Sequence, residues 1–240
     1  MPKKSRTPDP PRRPVQAPKV RPGVTRTPEE ARKFRILLLA GASGLAALTV
    51  VIGIILASSG GSSKVNDAGL ATTLAKAGCT LKAYKSPPHA ADHSDVPTLQ
   101  ARVHWNSFPP SNGAHYARPA VWGYYEEPVN PRLVVHNQEH GGVIIWWGNR
   151  VPAATIDELR RFYQSSPDSM FGTPLPGLGD KVALTAWTGD PNRYFRNGYY
   201  GDGHVAVCPR FDKKAFTVFR DAYRGKGPEG IPESFNKPGT

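Results

Sequence analysis

Val134-Val135-His136-Asn137-Gln138-Glu139-His140-Gly141-Gly142-Val143-Ile144-Ile145 is the stretch that decides how the folded part of this chain is built. As a string, H-x-x-E-H is the inverted zincin motif, in which a helix presents both His on one face and the Glu as general base. Its surroundings favour strands instead: β-branched residues flank both sides, and two consecutive glycines would break a helix one residue after the second His. The segment therefore reads as a β-hairpin, with strands over 133–136 and 143–147 and Asn137 to Glu139 as the loop. On such a hairpin His136 and His140 are cross-strand neighbours with Cβ atoms roughly 5 Å apart. Both can then reach one metal ion, with Glu139 as a third ligand or as a base beside it.

Working outward, Asn66 or Asp67 can cap a short helix running to Lys76, with Gly78 as its stop. The stretch from Pro87 to Pro131 is rich in Pro, Gly, Asn and His and has too little apolar alternation for regular elements, so it reads as a long loop of the kind that carries function. Thr155-Ile156-Asp157-Glu158 is a capping box, and Ile156, Leu159 and Phe162 follow at helical spacing, which predicts a helix over about 156–165. Strands are expected over 182–187 and 205–208. Asp212 caps a last helix whose Phe216, Phe219 and Tyr223 share a face, with Phe211 and Phe216 as a hydrophobic staple. Trp146 and Trp147, adjacent on a strand, must face opposite ways. Strands and helices in this order make an α+β domain rather than a parallel α/β repeat.

All seven histidines (His89, His93, His104, His115, His136, His140, His204) lie in this part of the chain. Neutral imidazole is the commonest metal ligand, and a site without Cys or Met ligands suits zinc or copper(II) in an oxidising compartment. The rigid turn Pro109-Pro110-Ser111-Asn112-Gly113-Ala114-His115 adds a third candidate to His136 and His140. His204, in Gly-Asp-Gly-His, reads as an exposed loop residue. Only two cysteines are present, Cys79 and Cys208, which excludes a four-cysteine zinc site and a disulfide-dense scaffold. In an oxidising exterior they most simply form one disulfide, the alternative being two buried thiols. No Gly-x-Ser-x-Gly elbow and no phosphate-binding glycine loop appears.

The 240 residues carry a net charge of +12, unevenly spread: residues 1–35 hold eleven Lys and Arg against Asp9, Glu29 and Glu30, with eight prolines and no apolar periodicity. That composition reads as a disordered basic tail. Its expected partners are anionic lipid headgroups rather than nucleic acid, since a solvated charge run is the commoner explanation of such a stretch. From Ile36 to Ala57 runs a stretch of 22 residues without a charge, roughly 33 Å of helix, which matches a bilayer core. The basic lead places the N-terminus in the cytoplasm and everything after the anchor outside it. The expected layout is a tail (1–35), a single transmembrane helix (36–57) contacting the lipid bilayer, a flexible linker (58–66), an extracytoplasmic α+β domain (67–229) and a C-terminal tail (230–240).

Five spaced motifs now stand together: His93; the Pro109-Pro110 turn with Gly113 and His115-Tyr116; Val135-His136-Asn137 with Glu139-His140-Gly141; Leu184-Thr185-Ala186-Trp187; and the closing run from Phe219 to Glu229. Over about residues 77–229 the chain resembles an uncharacterised bacterial family, domain of unknown function 3105. The resemblance implies an anchor-then-domain layout typical of actinobacterial envelope proteins. It also matches His93, His115, His136, Glu139 and His140 to the family's polar motif positions, brings no reaction, and gives His104 no counterpart. Three functions are compatible with these residues. One is an anchored domain that binds zinc or copper through the His/Glu cluster; another is a metal-dependent envelope hydrolase with Glu139 as catalytic base; the last is a scaffold without metal.

Overall fold

A computed structural model describes residues 67–240, except 89, 91, 92, 195 and 197–199. The basic tail, the 36–57 segment, the linker up to residue 66 and His89 lie outside the described residues. Among the described residues, no helix is long and apolar enough to cross a membrane.

Those residues form a mixed α+β domain of four α-helices and a five-stranded sheet: α1 (Asp67–Lys76), β1 (Thr80–Lys85), α2 (Pro131–Glu139), β2 (Val143–Trp147), α3 (Ala153–Gln164), β3 (Met170–Pro174), β4 (Val182–Thr188), β5 (Asp202–Cys208) and α4 (Lys213–Tyr223). The strand order is β1-β5-β4-β2-β3. All neighbours are antiparallel except β2 and β3, which run parallel and are joined through α3, because a parallel pair needs a crossover rather than a tight turn.

The sheet is covered on both faces. Val143, Ile145, Trp147, Val182, Leu184 and Ala186 pack with Leu70 and Leu74 of α1, Leu159 and Phe162 of α3, and Phe216 and Phe219 of α4. Ile144, Trp146 and Ala183 face the other way, towards Trp122 and towards Val134 of α2. The two tryptophans of β2 thus divide between the faces as alternation requires. All five β2 residues and six of seven in β4 are buried, so these central strands read as unbroken apolar runs rather than alternating ones.

Several expectations hold. α1 ends at Lys76 with Gly78 in the left-handed region (φ 78°). The Asp212 side chain accepts from the Ala215 N–H (2.8 Å) to cap α4, and the Phe211 and Phe216 rings meet at 4.9 Å. Cys79 and Cys208 form the disulfide. Between residues 86 and 130 the described chain has only one short 3-10 turn, His93–Asp95, among its helices and strands.

The hairpin is the principal correction. Residues 133–136 are not a strand but the middle of helix α2. Asn130 and Pro131 start it: the Asn130 side chain accepts from the Arg132 N–H (3.1 Å), and proline at the first position loses no bond because its missing N–H would be unpaired anyway. Gly141, at φ 93°, ends it. The glycine that argued against a helix is the residue that lets one stop. A second correction concerns α3, which begins at Ala153 after Pro152, so the Thr155–Glu158 pair falls inside its first turns rather than at its cap. Strands β1 and β3 were not anticipated. Residues 230–240, set apart above as a tail, dock on the domain: Gly239 N–H donates to the Trp122 carbonyl and Ser169 N–H to that of Asn236 (2.9 and 2.8 Å).

Candidate metal centre

Three pieces of chain converge on the face of the sheet that α2 covers. Helix α2 supplies His136 and Glu139 and ends on His140. The irregular segment supplies His115, and the 3-10 turn supplies His93. His93, His115, His136 and Glu139 each offer one ligand atom, and these four atoms lie within 4.8 Å of one another.

The turn holding His115 is pinned by its neighbours. Trp105 Nε1–H donates to the Ala114 carbonyl (3.0 Å), and Asn112 Nδ2–H to that of Tyr84 (2.7 Å). Gly113 sits at φ 101°, a conformation that turns its carbonyl back to the His115 ring at little cost. On α2, Asn137 exchanges two hydrogen bonds with the backbone of Ala120 (3.0 and 2.9 Å), and Asn236 Nδ2–H donates to the carbonyl of His140 (2.8 Å). Trp187 stands edge-on to the His115 ring, centroids 5.8 Å apart.

The hydrogen bonds settle which ring nitrogens are free. His115 Nδ1–H donates to the Gly113 carbonyl and His136 Nδ1–H to that of Tyr116, both at 2.8 Å. A carbonyl only accepts, so Nδ1 carries the proton in both rings and the neutral imidazole leaves Nε2 with a bare lone pair. Both Nε2 atoms face the common centre. His115 Nε2 is 2.9 Å from His93 Nε2 and 2.9 Å from Glu139 Oε2, and the last lies 3.8 Å from His93 Nε2. With Nδ1–H committed to Gly113, a hydrogen bond from His115 to Glu139 needs a second ring proton; a bound cation supplies the positive charge without one. Ligand atoms about 2.0–2.2 Å from a tetrahedral ion stand roughly 3.3–3.6 Å apart, so small shifts bring these four into coordination.

Charge and burial point the same way. His115 and Glu139 are fully buried, and His136 nearly so. Burial holds the His136 pKa down at about 4, reinforced by His115 and His140 and opposed by the Tyr116 carbonyl and Glu139, so the ring stays neutral at pH 7. Burial pushes the Glu139 carboxyl up, but the His115 ring and the Tyr194 hydroxyl more than offset this and keep it below its usual value. The Tyr194 hydroxyl donates a short hydrogen bond to Glu139 Oε1 and is itself pushed well above the ordinary phenol range by burial and the adjacent carboxylate.

These shifts have a consequence for the ion-free domain. The unfolded His136 protonates near pH 6.5 and the folded one near 4, so the unfolded state takes the proton first and stability falls as the pH drops from about 6.5 towards 4. Loss from Glu139 adds to this below its unfolded value. Urea midpoints measured in chelator should decline across that window, by up to about 3 kcal/mol for His136, and His136→Gln should flatten the decline. A wild-type midpoint that does not move between pH 7 and 4.5 would contradict the assignment.

His140 stands at the edge of the group. Its Nε2 is 3.1 Å from His136 Nε2 and 3.1 Å from Glu229 Oε2. His104 is exposed and not one of the grouped residues, and His204 lies half-buried on β5, where its Nε2 meets Thr188 Oγ1 (2.8 Å) and its ring stacks on Tyr223. Two participants went unassigned in the sequence. Tyr194 sits in a loop 55 residues from Glu139 with no local signal. Glu229 belongs to the closing motif, which was the available clue to its importance.

No curated protein and no solved structure matches the chain. A family model, Protein of unknown function (DUF3105), matches residues 97–234, a span that contains His115, His136, Glu139, His140, Tyr194 and Glu229 and begins four residues after His93. That span is more than half of the chain, and the chain therefore belongs to the DUF3105 family.

Proposed function

We propose that this protein is a membrane-anchored, extracytoplasmic domain that binds one transition-metal ion, zinc or copper, through His93, His115, His136 and Glu139. The observation that carries the reading is the pair of buried imidazoles whose Nδ1–H groups are held by backbone carbonyls, in a group of three histidines and one carboxylate whose ligand atoms lie within 4.8 Å of one another. Backbone acceptors on the far nitrogen are the usual supports of metal-ligating histidines, because they fix ring orientation and tautomer. Three nitrogens and one oxygen suit either ion. The anchor rests on the uncharged 36–57 run behind a basic lead, and the tail then lies at an anionic lipid surface.

A hydrolase using Glu139 as base is less well supported. A base needs an oxygen open to water, and Glu139 is fully buried with its Oε1 accepting from Tyr194.

Elemental analysis of the full chain, extracted from membranes in detergent and purified without an affinity His-tag, tests the proposal. Zinc or copper at about one ion per chain is expected, and its loss in a His115→Ala, His136→Ala variant that keeps the wild-type near-UV circular dichroism. Recovery of the chain from the soluble fraction would overturn the anchor. No metal in the wild type, even after incubation with both ions, would overturn the site and leave a polar network within a scaffold.

A further inference from the structure

Three of the four grouped residues, His115, His136 and Glu139, form a buried set beside the half-buried His93, and a second chain of ligand-type atoms runs from that set to the surface. His140 Nε2 is 3.1 Å from His136 Nε2, and Glu229 Oε2 is 3.1 Å from His140 Nε2 on the other side. Exposure rises along this line: the Glu139 side chain is fully buried, that of His140 is 20% exposed and that of Glu229 27% exposed. A surface pocket of about 370 Å³, walled by Pro119, Trp122 and Phe235, has His140 in its lining. His140 does not belong to the set whose ligand atoms lie within 4.8 Å of one another.

We propose that His140 and Glu229 form a transit site for the divalent cation, receiving it at the surface and passing it to His136 and the buried set. This rests on the metal-binding reading above and adds the route. The geometry supplies each step. The partly exposed Glu229 carboxylate attracts a cation and gives a hard oxygen ligand, while His140, when its Nε2 is bare, gives a nitrogen. His136 Nε2, one ligand spacing further in, can join the ion before Glu229 releases it, so the ion need never lose all its protein ligands at once. The other solvent-facing group, His93, is itself one of the four grouped ligands, so its loss changes the bound state. Loss of His140 or Glu229 changes only the way in and out.

The test is metal exchange in the full chain, with zinc as the probe, or copper(II) if only copper binds. Loading is followed by stopped flow and release by transfer to a chromophoric chelator, in wild type, His140→Ala, Glu229→Gln and, as a control, His104→Ala. Both transit variants should keep about one ion per chain and an unchanged dissociation constant, while loading and release slow together by about tenfold, because one barrier is crossed in both directions. His104→Ala should match wild type. Exchange at wild-type rates in both transit variants would overturn the route while leaving the metal site standing. Loss of stoichiometric binding in His140→Ala would overturn it differently, by making His140 a resident ligand. A wild type that binds neither ion would remove the underlying reading, and the route with it.

Discussion

Glu139→Ala is expected to lower the stability of the ion-free domain by about 2–4 kcal/mol and to abolish stoichiometric metal binding. Glu139 is fully buried and its Oε1 accepts from the buried Tyr194 hydroxyl. Truncation takes the carboxylate acceptor from a buried hydroxyl and leaves a cavity in its place, and both carry a cost. Glu139→Gln separates this structural loss from the binding loss. Its Oε1 can still accept from Tyr194, and its amide N–H can donate to the bare His115 Nε2, so the fold should stay within about 1 kcal/mol of wild type. The anionic ligand is gone, however, and metal affinity should fall by about 100-fold or more. Urea unfolding in chelator gives the first quantity and competition against a chelator the second. An alanine variant within 1 kcal/mol of wild type would mean that this network does not hold the domain together.

Removal of the Cys79–Cys208 bridge has the other large expected effect. The two cysteines are 129 residues apart in sequence, and a cross-link of that span removes about 4–5 kcal/mol of chain entropy from the unfolded state. The bridge also stands where other restraints are thin. It joins the residue before β1 to the last residue of β5, and β1 is an edge strand with four of its six residues exposed. The Cys79→Ala, Cys208→Ala variant should therefore lose about 3–5 kcal/mol, measured by urea unfolding. Hydrogen exchange should show the extra opening concentrated in α1 and β1, while α2 and the site across the sheet remain protected. A loss below about 1 kcal/mol would show that packing alone secures that edge.

Much of the candidate site could be read from residue types and spacing, even though the element carrying it was misassigned. His136 and His140 were placed side by side on a hairpin, and the structure places them side by side on a helix, because residues four apart on a helix face and residues opposite on a strand pair have nearly the same Cβ separation. The error in secondary structure therefore left the cluster intact. It arose because α2 is buried over every residue from Val134 to Glu139. A helix covered all round shows no polar stripe, and its Val-Val pair then reads as strand. By contrast, α4 has one apolar face, a capping aspartate and a staple, and its limits were legible almost to the residue. The β3 strand was missed for the opposite reason: Met-Phe-Gly-Thr-Pro has little strand character of its own, and its place is set by parallel pairing with β2.

By itself the sequence determined the class of domain, the one disulfide that two cysteines permit, and the imidazole and carboxylate groups available for a site, since these follow from composition and short-range pattern. Tertiary structure alone decided that the His-Glu segment is a helix, that Tyr194 and Glu229 belong beside it, and that the buried rings turn their bare nitrogens to one point. The physical reason is that each of these depends on what covers the segment: the carbonyls of Gly113 and Tyr116 that hold the Nδ1 protons belong to a loop whose conformation no local spacing encodes.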